Sequence, residues 1–421
     1  MKESFKFVKT ASSELQFKIN QSIIFNYLRM NGPISRAKIS RDLKISAPAV
    51  SRVIEKLISD DYVVETKKME TKSGKRPTLL VLNKYRGLVL GIDLGSEKLV
   101  TALMDYSGNI VKKYIGPDIL ERMDIAEVLK EEIKKVFDDC RNHIIINDLN
   151  YCEIKSICIA FPANVDPVSG KIINAPLYGS WSEINLKEDI NNEFNVPVFI
   201  DNNVNLAAWG EKNSGKGKDY SNVVFLEISN GIKAGIIIDN VLLKGENGYA
   251  GEIGFTIVNT ENLGFKIINK GFLEKFASVT SLKKIAVRSI EAGSKSKILE
   301  IAGNDINKIE PSTVCEAAIK GDTLAREIVE NVTRLLSIAM INLILILNPK
   351  IIILGGYIFS LPYRDELFIS PIKNYVKDSI PFNIPDIEIS EFGQDATIIG
   401  ACLMAMEALL VGEFPYKIDQ S

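Results

Sequence analysis

The stretch LVLGIDLGSEKLVTALMDYSGNIV, residues 88–111, reads as strand, glycine turn, strand, turn, strand. A second glycine-broken hairpin, VVFLEISNGIKAGIIIDNVLLKG, occupies 223–245. The two form a weak internal duplication, consistent with two similar lobes around a cleft, the usual place for a small ligand. Between them lie IKSICIAFPANVD (154–166), a buried strand ending in a loop, and GKIINAPLYGSW (170–181), a polar and aromatic loop. They are followed by FIDNNVNLAAWGE (199–211), an apolar strand that ends in Asp201-Asn202-Asn203 and feeds a helix. Further on, Pro349-Lys350 introduces the strand IIILGG (351–356). The helix in 392–410 carries the small residues Ala396, Gly400 and Ala401, which permit close packing.

Short β-hairpins of this kind open the nucleotide-binding folds related to ribonuclease H and actin, so the body is expected to be a two-lobed α/β structure. At 421 residues the chain is long enough for two or three domains. With 46% hydrophobic and 25% charged residues it reads as globular. The most apolar run, LLSIAMINLILIL (335–347), is cut by Asn348-Pro349-Lys350 and is too short to span a bilayer, so it predicts a buried helix. The N-terminus lacks an apolar signal core. The five cysteines (Cys140, Cys152, Cys158, Cys315, Cys402) are scattered without metal-binding spacing, which suits a reducing cytoplasm. A single histidine, His143, makes histidine-based metal or triad chemistry a poor fit.

Charge is divided unevenly. Residues 1–86 hold 18 Lys and Arg against 8 Asp and Glu, whereas the remainder holds 33 against 45. A basic head on an acidic body points to nucleic acid. Within the head, Ile23, Ile24, Tyr27 and Leu28 mark one apolar face of a helix over 20–32 that stops at Asn31-Gly32-Pro33. Ser35 is placed to cap a short helix through Asp42 that buries Ala37 and Ile39. Ser46 is placed to cap a third helix in which Val50, Val53, Ile54 and Leu57 form the buried stripe. The opposite face presents Ser46, Ala49, Ser51, Arg52 and Lys56. Two short helices joined by a tight turn describe a helix-turn-helix. The runs DYVVETKKM (61–69) and RPTLLVLN (76–83) add a hairpin with a basic tip, making the module a winged helix-turn-helix. Ser46, Ser51 and Arg52 suit the major groove, Lys75 and Arg76 the minor groove, and Lys67, Lys68 and Lys72 phosphates.

Taken in order, these segments resemble the ROK family of repressors and sugar kinases, in its xylose- and N-acetylglucosamine-repressor branch. Residues 20–412 carry the resemblance, through SGKRPT, GIDLGSEKLVTALMDYSGNI, FPANVD with GKIINAPLYGSW, DNNVNLAAWGE, GEIGFTIV (251–258), KGFLE (270–274), NPKIIILGG and the final IIGA. The implied fold is α/β, with an N-terminal winged helix-turn-helix and a two-lobed ribonuclease H/actin-like, sugar kinase-like body. The expected domains are 1–86, the DNA-binding head; 87–200, a first lobe completed by helix 392–412; and 201–391, a second lobe with ligand cleft and dimerisation surface.

Departures from the family pattern carry as much information. Family kinases have Asn-Asp where this chain has Asn202-Asn203, and that Asp is their catalytic base. An amide cannot take a hydroxyl proton, so general-base chemistry is lost at Asn203. In the turn Ser229-Asn230-Gly231-Ile232-Lys233-Ala234-Gly235, Lys233 stands where the family has a glycine that lets the backbone approach phosphate. The family's zinc ligands are also replaced. The histidine position is Phe255, and the cysteine run reads Gly264 to Phe272, so no metal is expected. An apolar cluster of Phe255, Phe265 and Phe272 is the expected substitute. The resemblance implies ligand contacts from Asn202, Asn203, Glu252 and Glu274, with Asn164 and Trp181 from neighbouring loops. The resulting expectation is a cytoplasmic DNA-binding repressor of carbohydrate-utilisation genes, without cofactor, catalytic residue or membrane attachment. Its partners would be double-stranded operator DNA, a sugar effector and a second copy, as a dimer or dimer of dimers. A sugar kinase and a ligand-independent dimeric DNA-binding protein are the alternatives.

Overall fold

A computed structural model describes residues 13–66, 78–95, 98–119, 125–142, 153–166, 169, 171–174, 185–258 and 271–411. The head begins with α1 (Ser13–Asn31), α2 (Arg36–Leu43) and α3 (Ala47–Ser59), followed by β1 (Val63–Thr66) and β2 (Leu79–Leu82), paired antiparallel with Val63 opposite Leu82. Helix α1 starts well before the predicted Asn20, because Ser13–Asn31 continues the same helical run. Ser35 caps α2 by accepting from the Lys38 N–H, and the chain turns at Lys44 in the left-handed region. Ile39 is buried in α2, but Ala37 is exposed, contrary to expectation.

The first five-stranded sheet has the order β5-β4-β3-β6-β9. Its strands are β3 (Leu88–Asp93), β4 (Lys98–Asp105), β5 (Ile110–Asp118), β6 (Ile154–Phe161) and β9 (Val198–Asn202), with α4 (Ile125–Arg141) and α5 (Leu186–Phe194) in the connections. A small pair, β7 (Asn164–Val165) and β8 (Ile172–Asn174), follows β6. The second five-stranded sheet has the order β12-β11-β10-β13-β14, after α6 (Asn203–Ser214). Its strands are β10 (Val223–Ile228), β11 (Ile232–Ile238), β12 (Val241–Leu242), β13 (Ile351–Gly355) and β14 (Asp386–Ile389). Both sheets put an antiparallel three-strand meander at one end and two later strands at the other, the structural form of the duplication read at 88–111 and 223–245.

The remaining helices are α7 (Phe272–Ala277), α8 (Val279–Glu291), α9 (Lys297–Ile301), α10 (Pro311–Ile319), α11 (Thr323–Leu347), α12 (Ser370–Ser379) and α13 (Ala396–Val411). Two compact units result: 1–159 with 185–200 and 401–421, and 160–184 with 201–400. The head shares the first unit with the first sheet, and residues 160–184 fall in the second.

In the first unit, the head is packed onto the body by aromatic and charged contacts. The Arg86 guanidinium lies 3.8 Å from the Tyr62 ring centroid and 5.1 Å from that of Tyr106, and Nε donates to the Asp60 carbonyl at 3.2 Å. Tyr62 packs edge-on against Phe25 of α1. The Ser22 hydroxyl donates to Glu407 of α13. Burial lowers the Arg29 guanidinium to about 10, and the Glu407 carboxylate opposes that shift.

In the second unit, Asp322 caps α11. Its carboxylate accepts from the Ala325 and Lys297 N–H groups at 2.9 and 2.8 Å and from the Ser296 hydroxyl at 2.8 Å. Helix α11 and the segment Gly393–Leu410 are long and apolar enough to cross a membrane, yet 56% and 72% of their most apolar windows are buried inside the fold, as in core helices. Cys140, Cys158, Cys315 and Cys402 are buried free thiols, and burial pushes Cys315 and Cys402 up to about 12, where they are unreactive.

Glycine is indispensable where α6 meets α13. A Cβ on Gly400 would lie 1.7 Å from the Leu206 carbonyl oxygen, and one on Gly210 2.7 Å from that of Ala396. Gly400→Ala is therefore expected to destabilise the protein by about 1–3 kcal/mol, although alanine is the better helix former. Urea unfolding checks this, and an unchanged midpoint would show that the helices move apart without cost.

A second expectation concerns acid. Burial alone would raise the Asp322 carboxyl, but the Ala325 and Lys297 N–H groups and the Ser296 hydroxyl hold it below its usual range. Its contribution is present above the unfolded carboxylate value and lost as pH falls through the lower folded value. Asp322→Ala should cost about 1–2 kcal/mol at neutral pH, and the difference from the parent should shrink in acid unfolding titrations.

Candidate functional site

The candidate DNA-binding face is built on α3. Val50, Val53, Ile54 and Leu57 are buried as the spacing predicts, which fixes the helix by one side and leaves the other outward. Ser46 occupies the N-cap position, but its side chain makes no capping hydrogen bond, contrary to the capping role expected of it. The adjacent Pro48 carries no N–H to be satisfied. Ser46 is exposed, while Ala49 and Ser51 are half-buried. Arg52 is exposed, with its guanidinium 5.0 Å from the centroid of the Phe17 ring on α1. Lys56 pairs with Asp60 at 2.8 Å across one helical turn. Exposed Lys38, Arg41 and Lys44 on and after α2 add basic groups that the sequence reading did not single out. Lys67, Lys68, Lys72, Lys75 and Arg76 lie outside the described residues.

The candidate ligand-binding cluster lies within the second unit. Strand β9 ends in Asp201 and Asn202, and α6 starts at Asn203. Asp201 is buried: Oδ1 accepts from the Asn202 N–H at 2.7 Å and Asn205 Nδ2 at 3.1 Å, and Oδ2 pairs with Lys244 Nζ at 2.7 Å. Asn202 caps α6 by accepting from the Val204 N–H at 2.9 Å and donates to the Ala163 carbonyl at 3.0 Å. Both amide atoms of Asn202 thus hold the turn, and Asn203 stands half-buried at the first position of the helix.

Buried Asn164 on β7 meets Lys233 of β11, whose Nζ donates to Asn164 Oδ1 at 3.5 Å and pairs with Glu252 Oε1 at 2.8 Å. Glu252 sits at the start of a short 3-10 turn but does not cap it. On α7, Glu274 Oε2 accepts from the Ile232 N–H at 3.4 Å. A Cβ on Gly231 or Gly254 would lie 3.3 or 3.2 Å from that oxygen, so both glycines make room for the carboxylate. The structure therefore joins Asn164, Glu252 and Glu274 through one strand, β11. Trp181 lies outside the described residues. Sequence reasoning read Lys233 only as displacing a glycine and did not single out Lys244. A lone lysine in the apolar strand Ile232–Ile238 was the available signal.

Phe255 is 38% exposed, whereas Phe272 is buried against Phe276 with ring centroids 4.8 Å apart. Gly254 and Phe255 approach Gly271 so closely that its Cβ would lie 2.2 Å from the Phe255 Cα. Phe265 lies outside the described residues. Among the described residues no group of three or more His, Cys, Asp or Glu is arranged to hold a metal. A concavity of about 300 Å³ between α11 and α12, lined in part by Arg326, Glu330, Glu366 and Tyr375, is elsewhere in the second unit; these four side chains are exposed, and the buried Thr333 hydroxyl beside them donates to the Leu367 carbonyl at 3.1 Å.

The ROK family model matches residues 89–408, and a winged helix-turn-helix DNA-binding model matches 19–64. The chain belongs to the ROK family. It is 30% identical over 399 residues to the xylose repressor of Caldicellulosiruptor bescii, covering 93% of this chain and 96% of that protein. The crystal structure of a ROK transcriptional regulator, a homologue of the Escherichia coli MLC protein, superposes with a TM-score of 0.77 at 25% identity, covering 94% of this chain and 97% of that one. A ROK glucokinase from Streptomyces griseus, solved with glucose and AMPPNP, shares the fold at 23% identity and a TM-score of 0.63, over only 76% of this chain. The match to a regulator extends through the head, and the protein is a DNA-binding transcriptional regulator rather than an enzyme.

Asn202→Ala should remove the α6 cap and cost about 1–2 kcal/mol in urea unfolding. Asn202→Asp, which keeps the accepting oxygen, should recover most of that loss. Equal loss in both variants would mean that the Ala163 contact, not the cap, is what matters.

Proposed function

We propose that this chain is a cytoplasmic, sugar-responsive repressor of carbohydrate-utilisation genes. The observation that carries the reading is a winged helix-turn-helix head joined to a body in which β11 collects Asn164, Glu252 and Glu274 while an amide, Asn203, opens α6. Carboxylates and amides at such spacing suit sugar hydroxyls, which donate to Glu and both donate to and accept from Asn. With an amide at Asn203, the cluster lacks a carboxylate at the position where the family's kinases are expected to carry their base, which favours binding over activation of such a ligand.

In this reading Ser46, Ser51 and Arg52 enter the major groove, and the wing residues Lys75 and Arg76 reach the minor groove. Two copies related by a two-fold axis read a palindrome with half-sites about one or two helical turns apart. A sugar that binds two closure states of the body unequally shifts their populations and with them the spacing of the heads. Asn203, Asn202 and Trp181 remain candidate ligand contacts, with Asn202 acting through the turn it holds.

Fluorescence anisotropy on DNA from upstream of the protein's own gene, with and without a panel of pentoses, hexoses and amino sugars, tests the reading. Release of bound DNA by one sugar is the expected result. DNA binding indifferent to every sugar would favour a ligand-independent DNA-binding protein, and sugar-dependent ADP release would restore the kinase alternative. Arg52→Ala should weaken operator binding about tenfold or more, and the affinity for random DNA much less. An equal loss on both DNAs would move Arg52 from base reading to phosphate contact.

A further inference from the structure

Among the described residues, Lys233 contacts two of the candidate ligand residues, Glu252 at 2.8 Å and Asn164 at 3.5 Å. Its side chain is 23% exposed and that of Glu252 16%, so the pair is shielded from solvent yet reachable. Strand register sets Glu227 directly opposite Lys233, on the same face of the sheet. Next along β11, the Ile232 N–H meets Glu274. The Lys233 ammonium therefore pairs with Glu252, has Glu227 as its cross-strand neighbour, and lies on the residue next to the one whose N–H meets Glu274.

From this arrangement we propose that Lys233 is a specificity-determining residue that restricts the cluster to neutral sugars bearing adjacent hydroxyls. The proposal rests on reading the cluster as the effector site. One hydroxyl accepts from the Lys233 ammonium, and its neighbour donates to the Glu252 carboxylate, so both charges keep a hydrogen-bonded partner. A sugar phosphate or sugar acid brings a further negative charge to a group of residues that is already net negative. The ion pair also fixes the Glu252 carboxylate in the absence of ligand, presenting its second oxygen without a search among rotamers. The glycine expected at this position in the family could supply neither contact.

Isothermal titration of the full chain, with D-xylose, D-glucose, N-acetylglucosamine, glucose 6-phosphate and glucuronate as probes, tests this against Lys233→Met and Lys233→Arg. Anisotropy on operator DNA and thermal melting serve as controls for folding. The parent is expected to bind at least one neutral sugar and to take glucose 6-phosphate and glucuronate at least about tenfold more weakly. Lys233→Met should lose about tenfold or more of the neutral-sugar affinity, the effect of a hydrogen bond to a charged group, while Lys233→Arg retains most of it. Tighter binding of the phosphate or the acid, or unchanged neutral-sugar binding in Lys233→Met, would overturn the role of Lys233 and leave the sugar-sensing reading standing. Binding of no sugar by parent and variants alike, with operator binding intact, would overturn the sugar-sensing reading and the role of Lys233 together.

Discussion

The crossing of α6 and α13 is the constraint on which the rest of the second unit depends. At Gly210 and Gly400 backbone meets backbone, and no side chain fits between the helices. That contact fixes the axis of α6 and therefore the position of its N-terminus, where Asn202 and Asn203 stand. Further down α6, fully buried Glu211 accepts from the Ser390 hydroxyl at 2.6 Å and the Phe392 N–H at 3.2 Å, tying the segment that leads into α13 to the same helix. Helix α13 runs on to Glu407, which receives the Ser22 hydroxyl of α1.

Buried carboxylates are used here as fixed acceptors. Asp201, Glu211 and Asp322 each accept two or more hydrogen bonds from N–H or hydroxyl groups, and Asp201 also pairs with Lys244. Satisfied in this way, an ionised group can be buried without a large desolvation penalty. The same saturation leaves such groups poorly placed to take a proton from a ligand. In the Asp201-Asn202-Asn203 run, the first two residues are engaged by neighbouring protein atoms, and only the third opens the helix without such a task. An amide at that third position is consistent with binding without turnover.

Much of this was legible in the sequence, for physical reasons that differ from place to place. The stripe Val50, Val53, Ile54 and Leu57 has the helical period, so its burial followed from spacing. The two meanders were visible because glycine turns interrupt apolar strands, and the sheets that grew from them share one strand order. Ser35 was read correctly as a cap, yet Ser46, with the same residue type and a similar position, does not cap; sequence cannot distinguish a hydroxyl that turns back from one that does not. Phe255 was assigned to an apolar cluster on chemistry alone, and its ring is 38% exposed. The two site lysines were obscured for a related reason. Lys233 was read for what it displaces, a glycine, and its own reach across to Glu252 depends on a loop that returns from Gly245 to Gly251, which no local pattern encodes.

These residue choices also bear on how a kinase-like framework serves regulation. In a kinase, binding energy is best used on contacts that strengthen in the transition state. A regulator needs ligand contacts that differ between two resting conformations, and it gains nothing from a proton acceptor at the reacting hydroxyl. On the resemblance read from the sequence, Asn203 stands in for the base and removes the second, while Asn202 and Asp201 hold the turn with their own hydrogen bonds. Lys233 acts in the complementary direction. It stands near the start of β11, where the resemblance expects a glycine that admits phosphate, and turns its charge towards Glu252 instead. On the proposed reading, the two residues count against phosphoryl transfer at the acceptor and at the phosphate loop, and they leave the proposed hydroxyl-binding groups in place. On the proposed reading, a body so altered still senses the kind of ligand its framework suits, and the basic head gives that sensing a consequence on DNA.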